Sequence, residues 1–332
     1  MADYLALGRV RESILAIEII DIRHFTAQDF GSLLEAESRA WLSALRWDYT
    51  PSVRLITACL ADKRLSGYAL LSGGQIRGYS FFLYEGEKGL IGDLFVQPDG
   101  ETRRNALVLL DHVIETLKAT PGVERVEAQL PHFSLDDLDA CFERHEFDVY
   151  LRRFMAANLN GRAVREAPAT FHRQFILETW QRKHDDAAAR LLFQTYRSHV
   201  DAAINDQYRS IAGTSHLIEN IIHLKGCGES LPRASFVAIH RATRKVAGLL
   251  ALTAVRTATA HIPQVAVDTG FQGLGVGVAL MEESFSAAQK LGFQEVTLTV
   301  TDANSDAVRF YERLGLETFR TFGAFVWKRS AL

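Results

Sequence analysis

The chain has 332 residues, of which 48% are hydrophobic and 23% charged, and its formal net charge at pH 7 is -3. This composition is ordinary for a folded globular protein and excludes a disordered chain. The slightly negative charge offers no basic surface of the kind that nucleic-acid-binding proteins carry, so we expect no nucleic acid partner. The few Lys/Arg clusters, such as Arg152–Arg153, are interpreted as solvated faces.

The first twenty residues, MADYLALGRVRESILAIEII, carry Asp3 and Glu12 between short apolar pieces. That pattern is typical neither of a secretory signal nor of a membrane-spanning helix, and no run of eighteen apolar residues occurs elsewhere. The three cysteines contain no CxxC pair and are too few for a disulfide framework. We therefore expect a cytoplasmic protein without a membrane partner.

The length favours two domains over one. The predicted seam is Asn158–Phe175, where polar residues, a glycine and a proline interrupt the apolar periodicity. We accordingly divide the chain into residues 1–160 and residues 161–332.

The first half is predicted to contain two helical stretches between its first strand and a hairpin, followed by a strand, a helix, a strand and a helix. In chain order these are Ile14–Ile22, Ala27–Leu45, Ser52–Lys63, the hairpin Ser66–Glu85 about Gly73–Gly74, Gly89–Val96, Arg103–Thr120, Val123–Leu130 and Ser134–Phe147.

The second half is predicted to follow the same order, β-α-α-β-β-β-α-β-α-β-β. Its elements are Arg173–Trp180, Asp185–Ile204, Ser210–Leu224, two strands within Ala234–Val255 about a turn at Ala242–Thr243, Thr259–Val267, a helix after a glycine-rich loop, Glu295–Thr301, Asn304–Gly315 and a last strand with Ala324–Arg329. The repeated order predicts two tandem copies of one α/β (α+β) fold, each a mixed central sheet flanked by helices.

The loop Gln272–Gly277, QGLGVG, lies between a predicted strand and a predicted helix and has glycines at alternate positions. Backbone N–H groups at such a helix start are unpaired, and the helix dipole adds positive charge there. Missing side chains at Gly273, Gly275 and Gly277 would let a diphosphate approach those groups, and Gln272 could add a side-chain amide. The loop fits neither a P-loop nor a GxGxxG dinucleotide motif. A tight turn without a ligand is the alternative.

A second motif, NSDAVRFYERLG, places Asn304, Ala307, Tyr311 and Gly315 on one short helix. Together with Gln272, Gly275 and Gly277, it resembles the GNAT acetyltransferase superfamily, whose pyrophosphate loop reads Arg/Gln-x-x-Gly-x-Gly/Ala and whose later helix reads Asn-x-x-Ala-x-x-x-Tyr. The similarity is strongest from Ser235 to Arg329.

The resemblance implies transfer of an acetyl group from acetyl-CoA, the cosubstrate, to a primary amine without a metal or a covalent intermediate. It implies that Tyr311 is the general acid at the thioester sulfur and that Asn304 helps to position the cosubstrate arm. The arm and thioester would meet the backbone of a strand segment, and the pyrophosphate would meet the glycine-rich loop. These two cosubstrate-binding segments are Val265, Ala266 and Val267, and Gln272, Gly273, Leu274, Gly275, Val276 and Gly277. For Tyr311 the alternative is a packed aromatic residue, and for Asn304 it is a plain helix cap.

The general base is not identified by the sequence. The candidates near the expected acceptor site are His261, Gln264, Asp201, Asp206 and Tyr208, and a lone histidine such as His261 is more often structural. The residues that could suggest a metal have no recognised ligand spacing, so we predict no metal; they are His216, His223 and Cys227.

The first half lacks these features when the corresponding segments of the two halves are laid together without gaps. With Val96 on Val267, Glu101 replaces Gln272, Arg104 replaces Gly275 and Ala106 replaces Gly277. With ACFERHEF laid separately on RFYERLGL, Phe142 falls on Tyr311 and Leu135 on Asn304. A carboxylate would repel a diphosphate, although Arg103 and Arg104 could offer charge to one. We predict that the first half retains the fold without catalysis.

Two functions follow. The first is an acetyl-CoA-dependent N-acetyltransferase with its site in the second half and a small-molecule amine, or less often a protein amine, as acceptor. The second is a non-catalytic acyl-CoA-binding or scaffold protein. Turnover distinguishes them.

Overall fold

The computed structural model describes residues 17–163, 165–224 and 226–330. The start of the predicted first strand, from Ile14 to Ala16, and the N-terminal residues Asp3 and Glu12 lie outside this part. Within it, none of the helices combines the length and the apolar character needed to cross a membrane.

The strands alternate with helices in both halves, as the periodicities predict. The strands are β1 Ile17–Asp21, β2 Ser66–Ser72, β3 Gln75–Glu85, β4 Lys88–Val96, β5 Arg125–Gln129, β6 Asp148–Asn158, β7 Phe175–Thr179, β8 Glu229–Ser230, β9 Phe236–His240, β10 Val246–Arg256, β11 Thr259–Val267, β12 Glu295–Thr301 and β13 Glu317–Lys328.

The α-helices fall mainly at the predicted positions. They are α1 Gly31–Leu45, α2 Thr50–Ala61, α3 Thr102–Ala119, α4 Leu135–Arg144, α5 Ala169–Gln174, α6 Asp185–Tyr196, α7 Asp201–Ile204, α8 Ile211–Ile218, α9 Val276–Lys290 and α10 Ser305–Arg313. The predicted helix Asp185–Ile204 is divided into α6 and α7, and α8 continues as a π-helical turn, Glu219–His223.

The sheets of the two halves form one continuous mixed sheet, with the order β1-β2-β3-β4-β5-β13-β6-β12-β11-β10-β9-β7 and β8 beside β10. The prediction of a mixed central sheet flanked by helices is thus confirmed. The halves also exchange strands: β13 pairs antiparallel with β5 of the first half, and β6 pairs antiparallel with β12 of the second. This exchange was not predicted. The division of the chain at residue 160 stays a prediction, and the two halves share one sheet.

Two details of the expected order are wrong. The sequence predicts two final strands in the second half, whereas Glu317–Lys328 forms one strand with a register shift between Thr318 and Arg320. No segment was assigned to the strand Asp148–Asn158, although the repeated order implies a strand after the last helix of the first half. Its mixed composition resembles a half-exposed edge strand, yet both of its edges are paired because the exchange encloses it.

Apolar cores cover both faces of each half-sheet. Helices α1 and α2 pack on one face of the first half, and α3 and α4 pack on the other. In the second half α9 and α10 cover one face, whereas α6 and α8 cover the opposite face. Residues of α9 and α10 therefore approach the sheet from the opposite side to those of α6 and α8.

Candidate functional site

The strands β11 and β12 separate in the middle of the second half-sheet. Their parallel pairing runs from Thr259 opposite Glu295 to Ile262 opposite Leu298 and then ends. Beyond that point β11 continues to Val267 with only β10 as neighbour, while β12 continues beside β6. The edge of β11 from Pro263 to Val267 therefore has no strand partner on the side of β12, and its backbone groups on that side are not used in the sheet.

The glycine-rich loop follows this open edge. Asp268 caps a single turn, Thr269–Phe271, by accepting the N–H of Gly270 at 2.8 Å. The chain then reverses through Gly273 and Gly275, both with positive φ, and α9 begins at Val276 without any side-chain capping bond. The first N–H groups of a helix have no intrahelical partner, so this end of α9 presents the kind of donors that an anion would bind.

The three glycines have different neighbours. A Cβ on Gly273 would meet nothing within 4 Å, and both Gly273 and Gln272 are exposed. A Cβ on Gly275 would lie 3.2 Å from Pro168, and one on Gly277 would lie 3.2 Å from Phe310. The close approach at Gly275 and Gly277 is therefore at least partly packing within the protein, and Gly273 and Gln272 form the open surface of the loop.

The motif helix α10 brings Asn304 and Tyr311 to the same core as β11. The side chain of Asn304 caps α10 by accepting the N–H of Ala307 at 3.3 Å, so the cap interpretation is correct for this residue. Tyr311 is 8% exposed and packs in the cluster that includes Val265 and Val267. Among the described residues its hydroxyl group has no hydrogen-bond partner. Burial, and then the negative charge of Asp201, raise the pKa of Tyr311, so the hydroxyl stays protonated at neutral pH.

The opposite face of the β11 edge is covered by two tyrosines. Tyr196 and Tyr208 stack with ring centroids 4.5 Å apart. The Tyr196 hydroxyl donates to the carbonyl oxygen of Val265 at 2.9 Å, and the Tyr208 hydroxyl donates to Oε1 of Gln264 at 2.8 Å. The sequence did not single out Tyr196. Its position at the end of an amphipathic helix beside Phe193 made it look like an ordinary packed residue.

Asp201, whose charge acts on Tyr311, contacts Thr301 and His199. Its carboxylate accepts a hydrogen bond from Oγ1 of Thr301 at 2.5 Å, and its other oxygen is 3.4 Å from Nδ1 of His199. Burial favours a higher pKa for Asp201, but the bonds from His199 and Thr301 and the positive charge of Arg152 outweigh it, and the pKa is lowered. Asp201 is thus a carboxylate at neutral pH.

The other base candidates have structural partners. His261 is buried, and its Nδ1 is 2.9 Å from Oγ1 of Thr297. Burial and the charge of Arg152 lower the pKa of His261 to about 3, which makes it a weak base. Asp206 accepts a hydrogen bond from Lys88 of the first half at 2.8 Å. Of the candidates, Asp201 is the one whose charge acts on Tyr311.

The three residues considered for a metal do not bring their ligand atoms together. Exposed His216 stands apart, His223 is 2.9 Å from Asp185, and burial raises the pKa of Cys227 to about 11. The part of the chain that is described contains one other cluster with suitable atoms, Asp111, Cys141 and His145. Asp111 already forms an ion pair with Arg144, which supplies the positive charge that a metal would bring.

The first half differs at each corresponding point. Five residues, 97–101, connect β4 to α3, whereas eight, 268–275, connect β11 to α9. The ungapped alignment is therefore wrong in this loop, because Glu101 occupies the N-cap position that Gly275 has in the second half. Glu101 is paired with Arg104, and Arg103 donates to the carbonyl of Asp136, so neither arginine is free for phosphate. Ala106 is buried within α3.

The counterpart of the motif helix is structural. Ser134, not Leu135, caps α4, so the alignment is off by one residue there. Phe142 is fully buried and stacks on Phe325 of the exchanged strand at 3.6 Å between ring centroids. Phe142 therefore has a packing role.

The space beside β4, where β4 and β5 separate after Ile91, is filled by side chains of the protein itself. The ring of His132 lies 4.7 Å from Trp41 and 5.8 Å from Phe95 of β4. The Tyr49 hydroxyl binds the Asp93 carboxylate in the same region. Burial lowers the pKa of His132 to about 4, consistent with a neutral, packed imidazole.

Comparison with known proteins agrees with the geometry of the second half. Residues 177–316 match the family model described as the acetyltransferase (GNAT) family. An uncharacterized N-acetyltransferase of Methanocaldococcus jannaschii is 41% identical over 58 residues, which make up 18% of this chain and 26% of that protein. The similarity thus spans about a quarter of that relative.

Solved structures extend the similarity to the whole fold. A GCN5-related N-acetyltransferase from Sphaerobacter thermophilus has a TM-score of 0.65 at 15% identity, over 95% of this chain and 97% of that one. A tandem GNAT protein from the clavulanic acid biosynthesis pathway has a TM-score of 0.62 at 16% identity, over 96% and 100% of the two chains. At this identity the similarity shows the fold, including its tandem arrangement.

Proposed function

We propose that the protein is an N-acetyltransferase that moves an acetyl group from acetyl-CoA to a primary amine, because residues 177–316 match the acetyltransferase (GNAT) family model. The family match supports an acyltransferase in general. The acetyl group, the amine and the position of the site in the second half are the proposal. A small-molecule amine is the favoured acceptor and a protein amine the less favoured one.

One observation carries the proposal: the open edge of β11 leads directly into the uncapped start of α9. An extended chain with amide groups can pair with the strand edge from Pro263 to Val267, and a pyrophosphate can bind at the helix start. The exposed Gln272 and Gly273 leave that end accessible. The residues present therefore fit acetyl-CoA, with its amide-containing arm on Val265–Val267 and its pyrophosphate on the loop.

Acetyl-CoA supplies an activated acyl thioester. The amine nitrogen attacks the acyl carbon, a C–N bond forms, the C–S bond breaks, and the sulfur leaves as a thiol after it gains a proton. Tyr311 supplies that proton because its hydroxyl is protonated at neutral pH and has no hydrogen-bond partner among the described residues, although its raised pKa makes it a weaker acid. Free N–H groups on the β11 edge stabilise the negative charge that develops on the acyl oxygen.

The attacking amine must lose one proton. Asp201 is the carboxylate whose charge helps to raise the pKa of Tyr311. The pKa of Asp201 itself is lowered, which makes it a poor proton acceptor. Asp201 instead attracts the ammonium form of the acceptor and holds it beside Tyr311, and the proton leaves through water.

The first half has no catalytic part in this proposal. Glu101 places a carboxylate at the start of α3, where it would oppose a diphosphate, and packed side chains fill the gap beside β4. Its contribution is the strand β6 and the contacts that hold the segment Asp201–Arg209. Arg125 donates to the carbonyl of Ala203 at 2.6 Å, and Lys88 binds Asp206.

A non-catalytic acyl-CoA-binding or scaffold protein is the second candidate, and the tight packing around Tyr311 and Tyr196 is the observation in its favour. The two are separated by incubating the protein with acetyl-CoA and a panel of primary amines while free thiol is measured. Amine-dependent thiol release with formation of the acetylated amine supports the enzyme. Binding of acetyl-CoA in a calorimeter without thiol release from any amine supports the scaffold.

A further inference from the structure

The exchange of strands brings an arginine of the first half into the second-half site. Arg152 lies on β6, where it is opposite Thr301 of β12, and its terminal nitrogen donates to Oγ1 of Thr299 at 3.1 Å. Successive side chains on a strand point to opposite faces. Arg153 accordingly points away, and it is paired with Asp302 at 2.5 Å. The two neighbours share a strand and a charge but face different surroundings.

Arg152 is an incompletely paired cation. Its Nε atom is buried without a hydrogen-bond partner, and no carboxylate of the described residues lies within 4.0 Å of the guanidinium. The sequence had suggested that Arg152 and Arg153 lie on a solvated face, which is wrong for Arg152 because β6 is enclosed between β12 and β13. A buried N–H group without a partner, such as the one on Nε, is costly, and the fork of N–H groups of a guanidinium matches a carboxylate or phosphate.

The charge of Arg152 acts on the residues that surround the proposed acceptor. It lowers the pKa of Asp201 and of His261, and it opposes the rise in the pKa of Tyr208. Asp201 in turn acts on Tyr311. Arg152 is opposite Thr301 in the sheet, and the hydroxyl of Thr301 donates to the Asp201 carboxylate, so the positive and the negative group lie near each other.

We propose that the acceptor is a small amine that also carries a carboxylate or phosphate, and that Arg152 binds this anion. The amine then points toward Asp201 and Tyr311, and the anion lies against β12 beside Thr299. This inference rests on the proposed acetyltransferase function and specifies the substrate class of the same site. Arg152 is a specificity-determining residue in this arrangement, and the first half supplies it.

The test compares matched amines with and without the anion: lysine with cadaverine, and O-phosphoethanolamine with ethanolamine. The wild-type protein should show a kcat/KM about ten- to a hundredfold higher for the anionic member of a pair, the range expected for a charged hydrogen bond. Arg152→Gln should reduce this ratio to near one, and Arg152→Lys should keep part of it. Arg153→Gln is the matched control and should keep the wild-type ratio.

The ratio within a pair cancels any general loss of activity, because both amines meet the same variant. Acetyl-CoA affinity measured for Arg152→Gln shows whether the fold and cosubstrate site are intact. Two results would overturn this inference: turnover of amines with no preference for the anionic members, or a preference that persists in Arg152→Gln. Either result would leave the acetyltransferase proposal intact. Absence of turnover with every amine would overturn both.

Discussion

The hydroxyl of Tyr196 donates a hydrogen bond to the carbonyl oxygen of Val265 at 2.9 Å. This carbonyl belongs to the strand segment that the proposed function assigns to the cosubstrate arm. The ring of Tyr196 is fixed by its stacking on Tyr208. An arm that binds along β11 therefore meets a backbone group that is already paired.

Tyr196→Phe should tighten acetyl-CoA binding because it removes this competing donor. A net hydrogen bond is worth about 0.5–1.5 kcal/mol, so the dissociation constant should fall by about two- to tenfold. Calorimetric titration measures it. Tyr208→Phe, which removes a hydroxyl bound to Gln264 rather than to the backbone, is the control and should have a smaller effect. If Tyr196→Phe binds acetyl-CoA as tightly as or more weakly than the wild-type protein, the Tyr196 hydroxyl does not compete with the cosubstrate for the Val265 carbonyl.

Tyr311→Phe should lower kcat by about a hundredfold or more, in the range expected for loss of a general acid, with little change in acetyl-CoA affinity. The substitution removes only a hydroxyl that has no partner among the described residues, so stability should hold. Steady-state kinetics and calorimetry together give the two quantities. Unchanged turnover would mean that another group protonates the sulfur and that Tyr311 is a core residue.

Phe325→Ala should destabilise the first half although Phe325 lies in the last strand of the chain. Its ring stacks on Phe142 and is 1% exposed, and Phe→Ala in a core costs about 3–5 kcal/mol. Urea denaturation measures the loss, and hydrogen exchange should show lost protection in β5. The exposed Leu55→Ala should change stability by less than about 0.5 kcal/mol. Loss of protection confined to the second half would contradict the strand exchange.

His261 should make the protein less stable as the pH falls. Its pKa is about 3 in the folded protein, against an ordinary value of 6.5, because burial and Arg152 disfavour the charged form. Between these values the unfolded chain binds a proton that the folded protein does not. The stability that the neutral imidazole contributes is therefore complete above pH 6.5 and is lost as the pH falls toward 3.

The variant His261→Asn keeps a polar atom for Thr297 but does not titrate. As the pH falls from about 6 to about 4, the free energy of unfolding of this variant should decrease less steeply than that of the wild-type protein. The difference in slope should be up to about 1.4 kcal/mol per pH unit. Urea denaturation at several pH values measures the slope. An unchanged slope would indicate that His261 is accessible to protons in the folded state.

The repeated periodicities and the two motifs were enough to predict the fold class and the elements around Gln272, Asn304 and Tyr311. Those features are local, because turn glycines, helix caps and apolar spacing depend on neighbours in sequence. The exchange of β6 and β13 is not local. Either strand could pair within its own half by composition, and the choice depends on which edge is left free after the rest of each half has formed.

The residues that this exchange brings together were correspondingly missed. Arg152 was assigned to a solvated surface because its neighbour Arg153 is also charged, and a charge pair without periodicity suggests exposure. The loop alignment failed for a related reason, since a connection three residues shorter moves Glu101 onto the helix start without any change in the flanking apolar pattern. A gapless comparison keeps the strands in register but displaces the start of α3 relative to α9 by three residues.

The central claim is that one acyl-CoA site exists per chain and that the loop before α9 forms it. Calorimetric titration with acetyl-CoA should give one site. Gln272→Glu, which adds a carboxylate at an exposed position of that loop, should weaken binding about tenfold or more. Gln97→Glu in the first-half loop should bind like the wild-type protein. Two sites per chain, no binding, or full affinity in Gln272→Glu would contradict the claim.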